Sequence, residues 1–340
     1  MSQTVKAMSL AVAVVLVAGV YLLPAILGPI NLPSMDSLSA EPPSPGPDES
    51  VAVDQQEDAS SSPDPAPVQP PSAWLPGYQG DTPAVQQACQ HLAGSVPQLD
   101  RTLCLDAGYV ATEHSSAGGV PIIARHVTSD VAMGEVLLIG GQHGDELASV
   151  TAVMAWAPAL ADDPGNMNWH VVPALNPDGV AGSPPTRTNG NGVDLDRNMP
   201  TEGWAEKVPS YHRTREKKPE FNPGEAGGSE PEVQMLVSAI DAVQPDVIVV
   251  VGAGLGLVEF SGDSPSTSGF GPLPAGSQPM KPGSLTAYAS ADLGIPVITI
   301  SLQDRINGSA DEDLAAIRND LRTFLAERFP TKGSDRQARR

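Results

Sequence analysis

Five apolar runs separated by stretches of helical spacing decide most of what this chain can fold into. VPIIARHV (120–127), EVLLIGG (135–141), NWHVVPALN (168–176), DVIVVV (246–251) and IPVITISL (295–302) are short and mostly rich in β-branched residues. They read as strands, mostly buried on both faces. Between them, ELASVTAVMAWAPAL (146–160) repeats its apolar residues at helical spacing. Two capping boxes, Ser229 with Glu232 and Ser309 with Glu312, predict helix starts near Glu230 and at DEDLAAIRNDLRTFLAERF (311–329). Strands alternating with helices predict an α/β layer fold with a largely parallel sheet, whose ligands sit at the carboxyl ends of the strands.

The folded part does not start at the N-terminus. Residues 7–28 carry no charge and are long enough to cross a hydrocarbon core of about 30 Å, as a retained anchor or a removed signal. The retained anchor is favoured, because the only small-residue cleavage candidate, Leu38-Ser39-Ala40, lies well beyond the apolar stretch. Lys6 precedes the segment and the next basic residue is Arg101, so the six-residue N-terminus stays inside and the bulk of the chain is expected outside, on the periplasmic or extracytoplasmic side. Residues 31–80 hold eleven prolines and no basic residue, and read as a disordered tether. The folded domain is expected over 83–329, followed by a basic tail over 330–340. Cys89 and Cys104 predict a disulfide in an oxidising compartment, two buried thiols being the alternative. A net charge of −21 excludes a nucleic-acid partner, which needs clustered Lys and Arg.

The stretch DVIVVVGAGLGLVEF (246–260) imitates a strand entering a phosphate-binding loop. A dinucleotide fingerprint requires a helix straight after its glycines. Here Gly256 is followed by Pro-, Ser- and Gly-rich sequence that reads as loop, so the nucleotide reading fails. His143 and Glu146, three residues apart where a strand turns into a helix, offer an imidazole and a carboxylate to one metal. Alone this is a weak signal, since a helix N-terminus favours acidic residues in any case.

Gly-Gly-x-His-Gly-x-Glu around His143, then Asn176-Pro177-Asp178-Gly179, then the run from Arg187 to Asn198 (RTNGNGVDLDRN) change its weight. In order and approximate spacing these motifs resemble the zinc carboxypeptidases, in particular the bacterial murein peptide amidase branch. Later signatures at Ser229-Glu230-Pro231-Glu232, Gly283-Ser284-Leu285 and Gly294 to Thr299 extend the resemblance over about residues 83 to 329. It implies an α/β/α sandwich around a mixed, mostly parallel eight-stranded sheet, and one zinc held by two histidines and a glutamate. His143 and Glu146 match the first two ligands. Arg187 matches the arginine that polarises the scissile carbonyl and Arg197 the one that grips the substrate carboxylate; a surface ion pair is the plainer alternative for either.

Three positions depart from the family pattern. The third ligand falls on Gly252, the general-base glutamate falls on Ser301, and the asparagine before Arg197 is Asp196. His212 in Ser-Tyr-His, Glu259 and Asp304 are the nearest substitutes in sequence, and no tyrosine stands in Gln278-Pro279-Met280-Lys281. His170 reads as a packed strand residue. Two readings follow: a pseudoenzyme that binds a peptide, a peptidoglycan stem peptide or an envelope protein, and an active zinc metallocarboxypeptidase or amidase with a rearranged metal site. A structural envelope domain is the third.

Overall fold

The computed structural model describes residues 82–97, 99–262, 267–307 and 309–328. The expected anchor, tether and tail lie outside the described residues. Among the described residues no helix is long and apolar enough to cross a membrane.

Two helices open the domain, α1 (Thr82–Ala93) and α2 (Arg101–Asp106), followed by β1 (Val110–Ser115), β2 (Pro121–Val127) and β3 (Gly134–Ile139). Then come α3 (Leu147–Asp162), β4 (Met167–Val172), the single turn α4 (Pro177–Val180), α5 (Trp204–Arg215), α6 (Pro231–Val243) and β5 (Val247–Ala253). The described residues end with β6 (Leu257–Ser261), β7 (Gly269–Phe270), β8 (Leu273–Gly276), a π-helical turn (Ala287–Asp292), β9 (Val297–Leu302) and α7 (Asp311–Arg328).

The sheet has nine strands in the order β1-β2-β4-β3-β5-β9-β6-β8-β7, one more than the expected eight. Its centre, β4-β3-β5-β9, is parallel. The flanks are mainly antiparallel, at β1-β2, β2-β4, β9-β6 and β8-β7, with β6-β8 the exception. The central strands bury both faces. Val136, Leu138, Val249, Val251, Ile298 and Ile300 pack with α3 and α7 residues on one side. Leu137, Ile139, Ile248, Val250 and Val297 pack with Val233, Leu236 and Ile240 of α6 on the other. Alternate side chains of one strand thus enter two cores, which is why VLLI of β3 and VIVVV of β5 are apolar without interruption.

Cys89 and Cys104 form the disulfide, tying α1 to α2 with Cα atoms 5.6 Å apart. The capping box at Ser229 does not form. Glu230 takes the N-cap position without a side-chain cap, and the Ser229 hydroxyl donates to the Glu230 carboxylate at 2.8 Å. Glu232 is drawn elsewhere, accepting from the Ala117 N–H at 2.9 Å. His212 lies within α5.

Candidate functional site

A cleft of about 420 Å³ opens where the central strands end, lined in part by His143, Glu146, Arg187, Gly252, Ser301 and Arg305. Its first wall is the turn after β3. Gly144 must be glycine, because a Cβ there would meet the Gly179 backbone at 2.1 Å, and the Asn-Pro-Asp-Gly turn packs directly on it. Glu146 holds the N-cap position of α3 without capping it. Its carboxylate turns into the site, with Oε1 3.2 Å from His143 Nδ1 and Oε2 accepting from the Ala253 N–H at 2.8 Å.

The second wall is formed by β5 and β9, where Gly252 and Ser301 are directly paired across the parallel ladder. A Cβ on Gly252 would lie 2.9 Å from Glu146 Oε2, so any side chain at 252 points at that carboxylate. Glycine supplies none. The Ser301 hydroxyl accepts from the Leu255 N–H at 3.0 Å and fixes the glycine turn that follows β5. That turn carries the chain to β6, which pairs with the far side of β9. The glycines of the GAGLG stretch therefore serve a strand crossover, and the residues after Gly256, read as loop, contain β6, β7 and β8. Gly254, at φ +108°, leaves room for Arg305, whose Nε would lie 2.7 Å from a Cβ there. Arg305 reaches Asp145 at 2.6 Å and stands 3.7 Å from Glu146 Oε1.

The third wall is the run from Arg187 to Asn198. Asn176 caps α4 through the Gly179 N–H and donates to the Arg187 carbonyl at 3.1 Å, joining two of the sequence signatures. Asp194 is fully buried and accepts from Arg187 Nε at 2.8 Å and from the Asp196 N–H at 3.0 Å. Its Oδ1 lies 3.3 Å from His143 Nε2, close enough for charge attraction. Arg187 stacks over Phe221, 5.2 Å from the ring centroid. Asp196 lines the cleft and accepts from the Leu285 N–H at 3.0 Å. Arg197 is 1% exposed. Its fork is closed by Glu216, with Nε to Oε2 at 2.6 Å and Nη2 to Oε1 at 3.0 Å.

These pairings set the charge states. Burial and the Arg187 charge pull the His143 imidazole down, but Glu146 and Asp194 outweigh them and push it up to about 9. Burial raises the Glu146 carboxyl, yet His143 and the Ala253 N–H hold it below the usual range. Asp194 is likewise held well below that range, where burial is overcome by His143 and Arg187. Glu259 lines the cleft and is raised by burial.

Of the sequence-derived candidates, His143, Glu146, Arg187, Asp196, Gly252 and Ser301 converge on the cleft, while Arg197 stands behind its wall. Asp304 instead accepts from the Ile306 and Asn307 N–H groups in a turn. His170 pairs with His126 at 3.1 Å and Glu135 at 3.0 Å, within the sheet. Arg305 and Glu216 carry no sequence signal and emerge only from the fold. At the ligand positions that the resemblance implies, the side-chain donors are His143 and Glu146; among the described residues no group of three or more His, Cys, Asp and Glu side chains is placed to hold a metal. Two donors beside a guanidinium do not fit a catalytic zinc, which takes three protein ligands and an open position.

Fold and cleft together define an α/β protein with a cleft over the carboxyl ends of its parallel strands. Comparison with known proteins narrows the class. The zinc carboxypeptidase family model matches residues 109–258. Murein peptide amidase A of Escherichia coli is 33% identical over 199 residues, covering 55% of this chain and 78% of that protein. The protein of the same name from Vibrio campbellii is 30% identical over 175 residues, covering 49% and 68%. Bovine thrombin-activatable fibrinolysis inhibitor, solved with tick carboxypeptidase inhibitor, shares the fold at a TM-score of 0.50 and 14% identity, over 74% of this chain and 95% of that one. The chain belongs to the zinc carboxypeptidase family.

Proposed function

We propose that this is a peptide-binding member of the family with impaired hydrolysis, held outside the membrane by residues 7–28 and the tether 31–80. Its ligand is a murein stem peptide, by analogy with murein peptide amidase A, or a protein of the cell envelope. The observation that carries the reading is the pairing of Gly252 with Ser301 at the strand ends facing Glu146. One lacks a metal donor and the other lacks a carboxylate to take a proton. Loss of a positioned general base alone costs roughly 10²–10⁴ in rate. Arg305 supports the same reading, since its guanidinium beside Asp145 and Glu146 neutralises carboxylates that would otherwise attract a dication.

What remains in the cleft suits binding. Arg187 presents a guanidinium stacked on Phe221, and Leu255 and Met280 supply apolar surface. The retained His143 and Glu146, 3.2 Å apart, favour the second reading, an active zinc enzyme with a rearranged site. Elemental analysis of the purified full chain beside His143→Ala, with calorimetry and a hydrolysis assay on a murein stem peptide, separates them. We expect binding without turnover, and far less than one zinc per chain in both proteins. One zinc per chain, lost in His143→Ala together with hydrolysis, would establish the enzyme instead. Absence of any binding would leave a structural envelope domain.

A further inference from the structure

Glu216 occupies a position that its local sequence does not favour. It is the C-cap residue of α5, where the negative end of the helix dipole opposes a carboxylate. What holds it there is tertiary. Its two oxygens sit on the Arg197 fork at 2.6 and 3.0 Å, and Oε1 is 3.2 Å from Lys281 Nζ. This is the paired arrangement in which a guanidinium receives a free carboxylate. The contact lies directly behind the cleft wall. Lys281 lines the cleft, as do Asp196, which also bonds Arg197, and Phe221, whose ring centroid is 5.9 Å from the Arg197 guanidinium carbon. Glu216 itself is held below the usual carboxylate range, where burial is overcome by Arg197 and Lys281, so it stays ionised.

We propose that Glu216 is a specificity-determining residue that stands on Arg197 in place of a ligand's terminal carboxylate. The cleft therefore takes a peptide that continues past this end, or ends there in a neutral group, and does not select for a free C-terminus. This deepens the peptide-binding reading and rests on it. A ligand carboxylate gains nothing at Arg197 unless it displaces an anion already bound by two hydrogen bonds and a second cation. Removal of Glu216 leaves a carboxylate-sized space on a fixed guanidinium.

The test uses the full chain as wild type, Glu216→Ala and Glu216→Ala/Arg197→Gln. Two readouts are taken: binding of a murein stem tripeptide as free acid and as C-terminal amide, and the unfolding temperature in acetate against equal chloride. We expect the wild type to bind acid and amide within about threefold of each other. Glu216→Ala should prefer the acid by about tenfold or more, the scale of a charged hydrogen-bonded pair. Acetate should raise the unfolding temperature of Glu216→Ala but leave the wild type and the double variant unchanged, a rescue that lost packing alone does not produce. A wild type that already prefers the acid tenfold, or a Glu216→Ala protein with neither acetate rescue nor acid preference, overturns the proposal. If no protein binds either peptide while acetate still rescues Glu216→Ala, the peptide-binding reading falls and the role of Glu216 as an intrachain occupant stands.

Discussion

Asp194→Asn tests the electrostatic core of the site with almost no change of shape. Asp194 is fully buried, holds Arg187 at 2.8 Å and faces His143 at 3.3 Å. Asparagine keeps an acceptor for the Asp196 N–H, so the turn beginning at 194 need not open. However, its amide group would direct N–H bonds at Arg187 or His143, both donors, and the one buried anion between them is gone. Breaking a buried ion pair by removing one partner costs about 3–5 kcal/mol, because the remaining charge is left uncompensated. For a domain of this size each kcal/mol moves the midpoint by about 2–4 °C, so a fall of roughly 6–20 °C is expected. Thermal unfolding at pH 7, followed by circular dichroism, reads it directly. Arg187→Met in the Asp194→Asn background should recover part of the loss, since the stranded guanidinium is then absent. A loss below about 1 kcal/mol, with no coupling to Arg187, would refute the reasoning: the charges would then be solvated or already balanced elsewhere.

Reduction of the Cys89–Cys104 disulfide, which closes a loop of 15 residues, should cost about 3 kcal/mol by chain entropy, measured as a lower urea midpoint. Gly254→Ala places a Cβ at φ +108° and 2.7 Å from Arg305 Nε, so it should destabilise by about 1–3 kcal/mol, and by less in an Arg305→Ala background where the clash is gone. Burial, reinforced by the neighbouring His170 and opposed by Glu135, lowers the His126 imidazole to about 4 in the folded protein. With an unfolded value near about 6.5, the unfolded chain binds more protons between those limits, so stability should fall as pH drops from about 6.5 towards 4. His126→Gln should flatten that part of the stability–pH profile.

How far the sequence speaks depends on whether a residue's role is set locally or across the fold. The runs that became β2, β3, β4, β5 and β9 are legible because burial on both faces gives them consecutive apolar residues, such as VLLI in β3 and VIVVV in β5. β1 (VATEHS) and β6 (LVEFS) each expose part of one face, and β8 (LPAG) is mostly exposed, so their composition resembles loop. The capping box failed because Pro231 occupies the first turn of α6 and Glu232 is bonded across the domain to Ala117 and Asn189. In the site, His143, Glu146 and Arg187 stand in motifs whose spacing is fixed by short turns. Arg305 meets Asp145 across 160 residues, and Glu216 meets Arg197 from the end of a helix whose sequence reads as a solvated charge run. In a chain this acidic, one more glutamate carries no signal of its own.

Apart from Glu259, the charges lining the cleft are held in ion pairs. His143 faces Glu146 and Asp194, Arg187 takes Asp194, Arg197 takes Asp196 and Glu216, Lys281 shares Glu216, and Arg305 takes Asp145 beside Glu146. At any of these paired groups an incoming charged group cannot simply neutralise a waiting partner; it must replace one, and only the difference between the two contacts appears as affinity. Neutral amide groups and apolar side chains face no such exchange, and Phe221, Leu255 and Met280 give them surface to cover. Position 252 fits the same logic. A longer side chain there would press on Glu146 and disturb the pairing that reaches Ala253 and Arg305, whereas glycine leaves that set intact. On the proposed peptide-binding reading, the residues at the strand ends and the inward-turned arginines act in one direction, favouring the backbone and side chains of a peptide over charge capture.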